Sequence, residues 1–247
     1  MADSARRTLL PVRHQPELPR DSLILAEAPD AEALEMDVVI VGAGPAGLAT
    51  AIHLARLVRK DAENGGTLGE VNIAVLEKAA ALGEHSLSGA VVNPRAFREL
   101  FPELKDSDFP FRAPVTKESV LLLTEGGSIK LPTPPPMRNH GNHIASICEI
   151  VRWLGGKAEE LGVNVLPGFP VGSLLVEGEK AIGVRTVAAG LDRNGNPGPQ
   201  SEPPTDLTAK VVVLAEGTRG PLGQAYRQWK GIRSENPQIF ALGVKEI

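Results

Sequence analysis

The chain has 247 residues, 42% of them hydrophobic and 23% charged, with a formal net charge of -4. That length supports one large domain or two modest ones with ample core, and the acidic balance removes any electrostatic case for a nucleic-acid partner. A single cysteine, Cys148, excludes an internal disulfide framework and a cysteine-built metal site within these residues, and no apolar run of about 18 residues offers a membrane-spanning helix.

Residues 1–35 hold Pro11, Pro16, Pro19 and Pro29 and read as a partly irregular extension. Arg6 and Arg7 are accompanied by Asp3, Asp21, Glu27, Asp30, Glu32 and Glu35, an acid content foreign to organelle-targeting peptides, so the expectation is a cytosolic extension. "DVVIV" (37–41) is the continuous apolar run of a parallel strand buried on both faces. From Ala46 to about Lys60 the apolar period becomes helical, through Leu48, Ile52, Ala55 and Val58. "DAENGGTLGE" is a turn-rich connection, and "VNIAVLEK" (71–78) is a second buried strand, which completes a βαβ unit.

Between the first strand and the helix stands "GAGPAG", with Gly42, Ala43, Gly44, Pro45, Ala46 and Gly47. Gly42 allows a tight bend, Gly44 lets backbone approach a pyrophosphate, and Gly47 lets helix pack on strand, so the helix N-terminus faces negative charge. The spacing alone is common. Preceded by a strand, followed by a helix and joined by an acid at the end of the next strand, Glu77, it is a strong dinucleotide signature. Glu77 suits a free pair of ribose hydroxyls and would repel a 2′-phosphate, with Lys78 beside it. NAD and FAD both satisfy this unit. FAD is favoured because the chain leaves for a Pro-rich, β-containing excursion and returns near residue 209, where "VVVLAEGTRGPL" brings Gly217 toward the cofactor.

Further along, "AALGEHSLSGAVV" is rich in small residues, and Ser88 and Gly89 would let it pass close to a flavin ring. His85 with Ser86 and Ser88 makes no triad, because no partner acid or nucleophile elbow supports one. "NPRAFRELF" is a short amphipathic helix opened by Asn93 and Pro94. Phe97, Leu100 and Phe101 share one side of it, with Arg95, Arg98 and Glu99 on the other. Packing on the domain core is one reading of that stripe. An interfacial helix on a membrane is the other. "SVLLLTEGGSIKLP" predicts a hairpin turning at Gly126-Gly127, and "PTPPP" a stiff extended spacer. His140 and His143 in "NHGNH" have metal-ligand spacing but no third ligand nearby, so no metal site is expected and Asn142 is read as a helix cap. "HIASICEIVRWLGGKAEELG" predicts a helix broken at Gly155-Gly156 and ended by Gly162, on which Cys148 is a small buried hydrophobe. Strands "VNVLP", "GSLLVEG", "AIGVRTVAAG" and "AKVVVLAEG" follow, with a polar loop over residues 192–206. The strand-like "IFALGVKEI" at the end has nothing after it to pair with, which leads to the expectation of a truncated chain.

The stretches "DVVIVGAGPAGLATAI", "VLEKAAALGEHSLSGAVVNPRAFRELFPE", "MRNHGNHI", "LGVNVLPGF" and "AKVVVLAEGTRGPL" resemble the FAD-binding N-terminal half of the electron transfer flavoprotein–ubiquinone oxidoreductase family. "SLSGAVVNPRAF" with "NHGN" carries most of that specificity. The resemblance implies a Rossmann-like α/β domain of the glutathione-reductase type with an inserted β-rich substrate or quinone domain. It implies bound FAD, a 4Fe-4S cluster, and electron passage from reduced electron transfer flavoprotein to ubiquinone. It also implies peripheral attachment to a bacterial inner membrane on its cytoplasmic face, or to the mitochondrial inner membrane in a eukaryote, and turns the Phe97 helix toward the bilayer. The family's cluster takes four cysteines, and Cys148 matches none of them, so this chain should lack the cluster.

The organisation that follows is an extension at 1–35, a βαβ and membrane-facing segment at 36–110, a β excursion and linker at 111–141, a return to the FAD domain at 142–220, and the start of a quinone-binding domain at 221–247. Two alternatives stand beside the main reading: a related flavin-dependent reductase or monooxygenase acting on a lipid-like or aromatic substrate, and a truncated FAD-binding module with no turnover.

Overall fold

A computed structural model describes residues 17–191, 194 and 196–236. A one-turn helix α1 (Arg20–Leu23) leads into a two-residue strand β1 (Ile24–Leu25). Strand β2 (Leu34–Val41) then enters the core, where Val39 and Ile40 are fully buried. Helix α2 (Pro45–Glu63) buries Gly47, Leu48, Ala51, Ile52 and Ala55, a stripe at helical spacing. It stops where Gly65 turns the chain at φ +73°. Strand β3 (Ile73–Glu77) is buried through its first four residues.

The chain then builds a satellite. It comprises β4 (Ala90–Val92), helix α3 (Arg95–Leu100), β5 (Phe111–Pro114), the hairpin strands β6 (Val120–Thr124) and β7 (Gly127–Leu131), and β8 (His143–Ala145). Helix α4 (Ile147–Glu159) brings it back to β9 (Asn164–Pro167). Strands β10 (Val171–Glu177), β11 (Lys180–Thr186), β12 (Ala189–Leu191), β13 (Pro197–Glu202) and β14 (Asp206–Leu214) follow, then helix α5 (Pro221–Trp229).

One seven-stranded sheet organises these elements in the order β1-β10-β11-β14-β2-β3-β9. Its half from β14 to β9 is parallel throughout, while β11 is antiparallel to both β10 and β14. Helices α2 and α4 cover one face with the larger core, and α5 closes the other, its Leu222 clustering with Val39, Val41 and Leu76. Each fully buried Val, Leu or Ile contributes about 1.5–3 kcal/mol, and such residues lie in both halves of the sheet, at Val39, Ile40 and Val75 in the parallel one and at Leu174, Leu175 and Val184 in the other. This is the expected Rossmann-like α/β architecture, a parallel sheet sandwiched between helices.

Within the partly irregular extension, β1 pairs in parallel with β10, as that reading allows. Several local expectations are corrected. The segment from His143 opens as strand β8 between β4 and β5, so Ser146 rather than Asn142 precedes α4, and the Asn142 amide donates to Asn139 Oδ1 instead. Helix α4 runs unbroken through Gly155-Gly156, and Gly155 leaves the space that Leu82 fills, since a side chain there would collide with it. There glycine serves helix packing and breaks nothing. The hairpin turns at Glu125-Gly126, and the proline run tightens into a 3-10 turn at Pro135–Met137. The "polar loop" contains β13, paired with β12. The terminal "IFALGVKEI" lies outside the described residues.

The largest correction concerns α3. Phe97 and Phe101 do not face outward: they are 9% and 1% exposed, inside the main core. Phe97 meets the Phe111 ring edge-on at 5.0 Å, Phe101 meets Trp153 at 4.9 Å, and both pack on Phe109. The Arg56 guanidinium lies 4.7 Å above the Phe101 ring, a cation–π contact that closes the last side. The apolar stripe of α3 is spent on the core, which removes these rings as the membrane contact.

Candidate functional site

Val41, Glu77, Phe169 and Ala215 stand at or just beyond the carboxyl ends of β2, β3, β9 and β14, and all four line one cleft of about 410 Å3. Open parallel sheets place their ligand sites there. The floor is the glycine turn. Gly42 adopts φ +104°, and a side chain on it would lie 2.6 Å from the Ala215 carbonyl oxygen. Gly47 has no room either, because a Cβ would strike the Gly42 carbonyl across the first turn of α2.

Gly44 differs from both. Its φ of -74° suits any residue, and a Cβ there would meet nothing within 4 Å. The space above it is the cleft. Gly44 is the N-cap of α2 and offers no capping side chain, Pro45 follows at the first helical position, and the first turn contains no acid. The positive end of a 19-residue helix therefore faces the cleft with backbone donors that need acceptors. This cradle fits the diphosphate of a dinucleotide.

Glu77 closes the adjoining wall. Its Oε2 accepts from the Ala43 N–H at 3.1 Å and its Oε1 from the Ala79 N–H at 2.9 Å. Each carboxylate oxygen keeps a second lone pair, so holding the turn leaves acceptor capacity for ribose hydroxyls. Lys78 and Gly217 also line the cleft, as do Ala43, Pro45 and Ala46. Gly47 packs beneath it. Ser88 and Gly89 lie outside the lining: the Ser88 hydroxyl is 3.1 Å from that of Ser146, and Gly89 makes a turn at φ +85°.

His85 and Ser86, the neighbours of Ser88, do reach the cleft, and Cys148 ties that segment to α4 by donating to the Ser86 carbonyl at 3.0 Å. The Phe169-Pro170-Val171 wall carries no motif of its own in the sequence. These residues reach Glu77 because β9 pairs with β3, after which the Phe169 N–H donates to the Glu77 carbonyl at 2.9 Å. Only strand order carries that signal. His143 stacks on Phe111 at 4.7 Å with its Nε2 3.9 Å from Asp106. Among the described residues no group of three or more His, Cys, Asp or Glu side chains is placed to hold a metal ion. A 4Fe-4S cluster needs four thiolates, and a chain with one cysteine does not fit it.

Comparison with known proteins adds a family context. No protein-family model matches the chain. It is 42% identical over 219 residues, 87% of its length, to the mitochondrial electron transfer flavoprotein-ubiquinone oxidoreductase of Mus musculus. It is 39% identical over 222 residues to the Acinetobacter baylyi protein named "Probable electron transfer flavoprotein-ubiquinone oxidoreductase". The match covers 35% of the mouse protein and 38% of the bacterial one, so the chain spans about a third of the length of these relatives. Among solved structures, a geranylgeranyl bacteriochlorophyll reductase-like protein of Thermoplasma acidophilum superposes with a TM-score of 0.52 at 17% identity, over 82% of this chain and 43% of that one, which establishes a shared fold. The resemblance read from the sequence motifs is borne out: over 87% of its length this chain is a homologue of proteins named electron transfer flavoprotein–ubiquinone oxidoreductase in bacteria, animals and plants.

Proposed function

We propose that this chain forms the FAD-binding part of an oxidoreductase that passes electrons from reduced electron transfer flavoprotein to ubiquinone. The observation that carries the reading is the open cradle above Gly44 at the N-terminus of α2. The names of the homologues support the donor and acceptor. In this role α2 and the glycine turn hold the diphosphate, Glu77 fixes the turn and receives ribose hydroxyls, and the walls at Phe169 and Gly217 limit water. Bound FAD supplies the redox chemistry, so no protein nucleophile is required.

Gly44→Val tests this directly. The backbone tolerates the substitution and a Cβ there meets nothing within 4 Å, so the variant should fold, with the far-ultraviolet circular dichroism of the wild type. It should also lose FAD, seen as loss of the flavin absorbance band, because the side chain fills the diphosphate position. A wild-type chain that binds NAD and carries no flavin would falsify the cofactor assignment.

Ubiquinone is an isoprenoid that partitions into lipid, so its reductase must contact the bilayer. No helix among the described residues is long and apolar enough to cross one. With Phe97 and Phe101 buried, the membrane contact passes to the β6–β7 hairpin. Its register puts Val120 opposite Leu131 and Leu122 opposite Ile129 on one face, with Leu121 and Leu123 on the other. Leu122, Leu123 and Ile129 are 51%, 74% and 56% exposed. The second face pairs Leu121 with Lys130 and Leu123 with Ser128. Exposed leucines on both faces of one hairpin are costly in water and stable in an interface, with Lys130 beside anionic lipid. Leu121→Glu with Leu123→Glu should weaken vesicle binding at least about tenfold, since each leucine contributes roughly 1.5–3 kcal/mol when buried. FAD retention should be unchanged. Vesicle co-sedimentation equal to wild type would remove the hairpin from the interface.

A further inference from the structure

The turn that forms the wall of the cleft opposite Glu77 is held by a carboxylate whose role the flavin reading leaves unused. Strand β14 ends at Leu214, and the Ala215 N–H still donates to the Val41 carbonyl at 2.9 Å, continuing the ladder beside the glycine turn. Ala215 and Glu216 are the backbone against which Gly42 is packed. The chain then reverses through Gly217 at φ +91° and Gly220 and enters α5. Pro221, the first residue of that helix, has no N–H, so Leu222 and Gly223 carry its first amide hydrogens. Both donate to Glu216: Leu222 N–H to Oε1 at 3.2 Å and Gly223 N–H to Oε2 at 2.7 Å.

The result is a staple. A single side chain at the end of β14 caps a helix that starts five residues later, and the 217–220 turn between the two anchors lines the cleft at Gly217. Gly220 is required for it, since a Cβ there would press on Glu216 Cβ and lie 2.7 Å from Oε2. The negative charge also satisfies the positive end of α5, whereas the N-terminus of α2 has neither a capping side chain nor a first-turn acid. Of the two helix N-termini at this cleft, one is filled by the protein's own carboxylate and the other is open toward a ligand anion.

We infer that Glu216 is a positioning residue for FAD: by capping α5 it fixes the Gly217 turn against the glycine cradle and directs the diphosphate to α2 alone. The inference rests on the FAD reading above. Glu216 also lines the cleft, but both of its carboxylate oxygens are engaged by α5, and it has no part in electron transfer.

The test compares the 247-residue wild type with Glu216→Ala, Glu216→Gln and Gly220→Ala. FAD affinity is measured by quenching of flavin fluorescence, at a temperature where circular dichroism shows all four fully folded. Loss of a cap acts on the wall rather than on a ligand contact, so Glu216→Ala should raise the FAD Kd roughly tenfold. Glu216→Gln keeps one acceptor oxygen and should recover most of that loss. Gly220→Ala keeps the charge, suits its backbone at φ -55° and displaces the carboxylate, so it should match Glu216→Ala. A wild type without a flavin band overturns the FAD reading and this inference together. A loaded wild type whose variants all bind equally, or whose variants lose melting temperature while the Kd below the transition is unchanged, overturns this inference alone and leaves Glu216 a structural cap.

Discussion

Phe97→Asp combined with Phe101→Asp is expected to unfold the chain. Truncating one buried phenylalanine costs about 3–5 kcal/mol before any charge is introduced. Here two rings are removed from one cluster and two carboxylates take their place, with Phe109 and Trp153 on either side to desolvate them. The two losses share partners and will not add exactly. Even so, the combined cost reaches the whole stability of an ordinary domain, about 5–15 kcal/mol. The expected result is loss of the cooperative thermal transition and of the near-ultraviolet aromatic signal, with flavin release as a consequence. Phe101→Leu is the milder control and should only lower the melting temperature. A double variant that stays folded, keeps FAD and leaves vesicles would return α3 to the membrane surface.

Asp206→Asn is expected to destabilise the fold by about 3–5 kcal/mol, the cost of leaving a buried charge pair with one partner. The Asp206 side chain is closed to solvent and that of Arg185 is 22% exposed. The guanidinium donates through Nε at 2.7 Å and through its terminal nitrogen at 2.9 Å, and the Asp30 N–H adds a third bond at 3.0 Å. Arg185 reaches on to Glu27 at 2.7 Å, so the pair ties β11 and β14 to the segment ahead of β2. The Arg185 hydrogen bonds hold the Asp206 carboxyl below its ordinary value, against the opposing effect of burial. The native state then binds fewer protons than the unfolded chain. Its stabilising contribution is complete above the ordinary carboxyl value near 3.8 and is lost as the pH falls from there through the lower folded value. Chemical denaturation at pH 7 and at about pH 3 checks both points: the deficit of Asp206→Asn should be full at the first and smaller at the second by up to about 1 kcal/mol, since pH 3 lies less than one unit below 3.8. An equal deficit at both would show that packing, not charge, is what Asp206 contributes.

Much of the candidate site was legible before any coordinates. The strand, the glycine turn, α2 and Glu77 lie within about 40 consecutive residues, and each leaves a local mark: an apolar run for a strand buried on both faces, a 3.6-residue stripe for the helix, glycines where a Cβ cannot fit. Those marks are consequences of backbone geometry over short distances, so the sequence determined them without help from the rest of the fold. The hairpin at 120–131 was readable for the same reason. The wall at Gly217 was legible from its glycine turn after a buried strand, but the wall at Phe169 was not. Phe169 arrives from a segment more than 90 residues beyond Glu77, and only the order β14-β2-β3-β9 brings it to the same strand ends.

Glycine was readable as a need for space but not as the cause of that need. In the sequence Gly155 reads as a helix breaker, whereas α4 continues through it and Leu82 occupies the missing side chain's place. Helix α3 shows the same limit most plainly. Phe97, Leu100 and Phe101 at helical spacing determine that one face of the helix is apolar, and both readings of the sequence contained that face. What covers it was decided by Phe109, Phe111 and Trp153, brought there by β5 and α4. The hydrophobic effect is non-directional: it requires that an apolar face leave water and is indifferent to whether protein or lipid receives it. Periodicity therefore determines that burial happens, and tertiary structure alone decides against what.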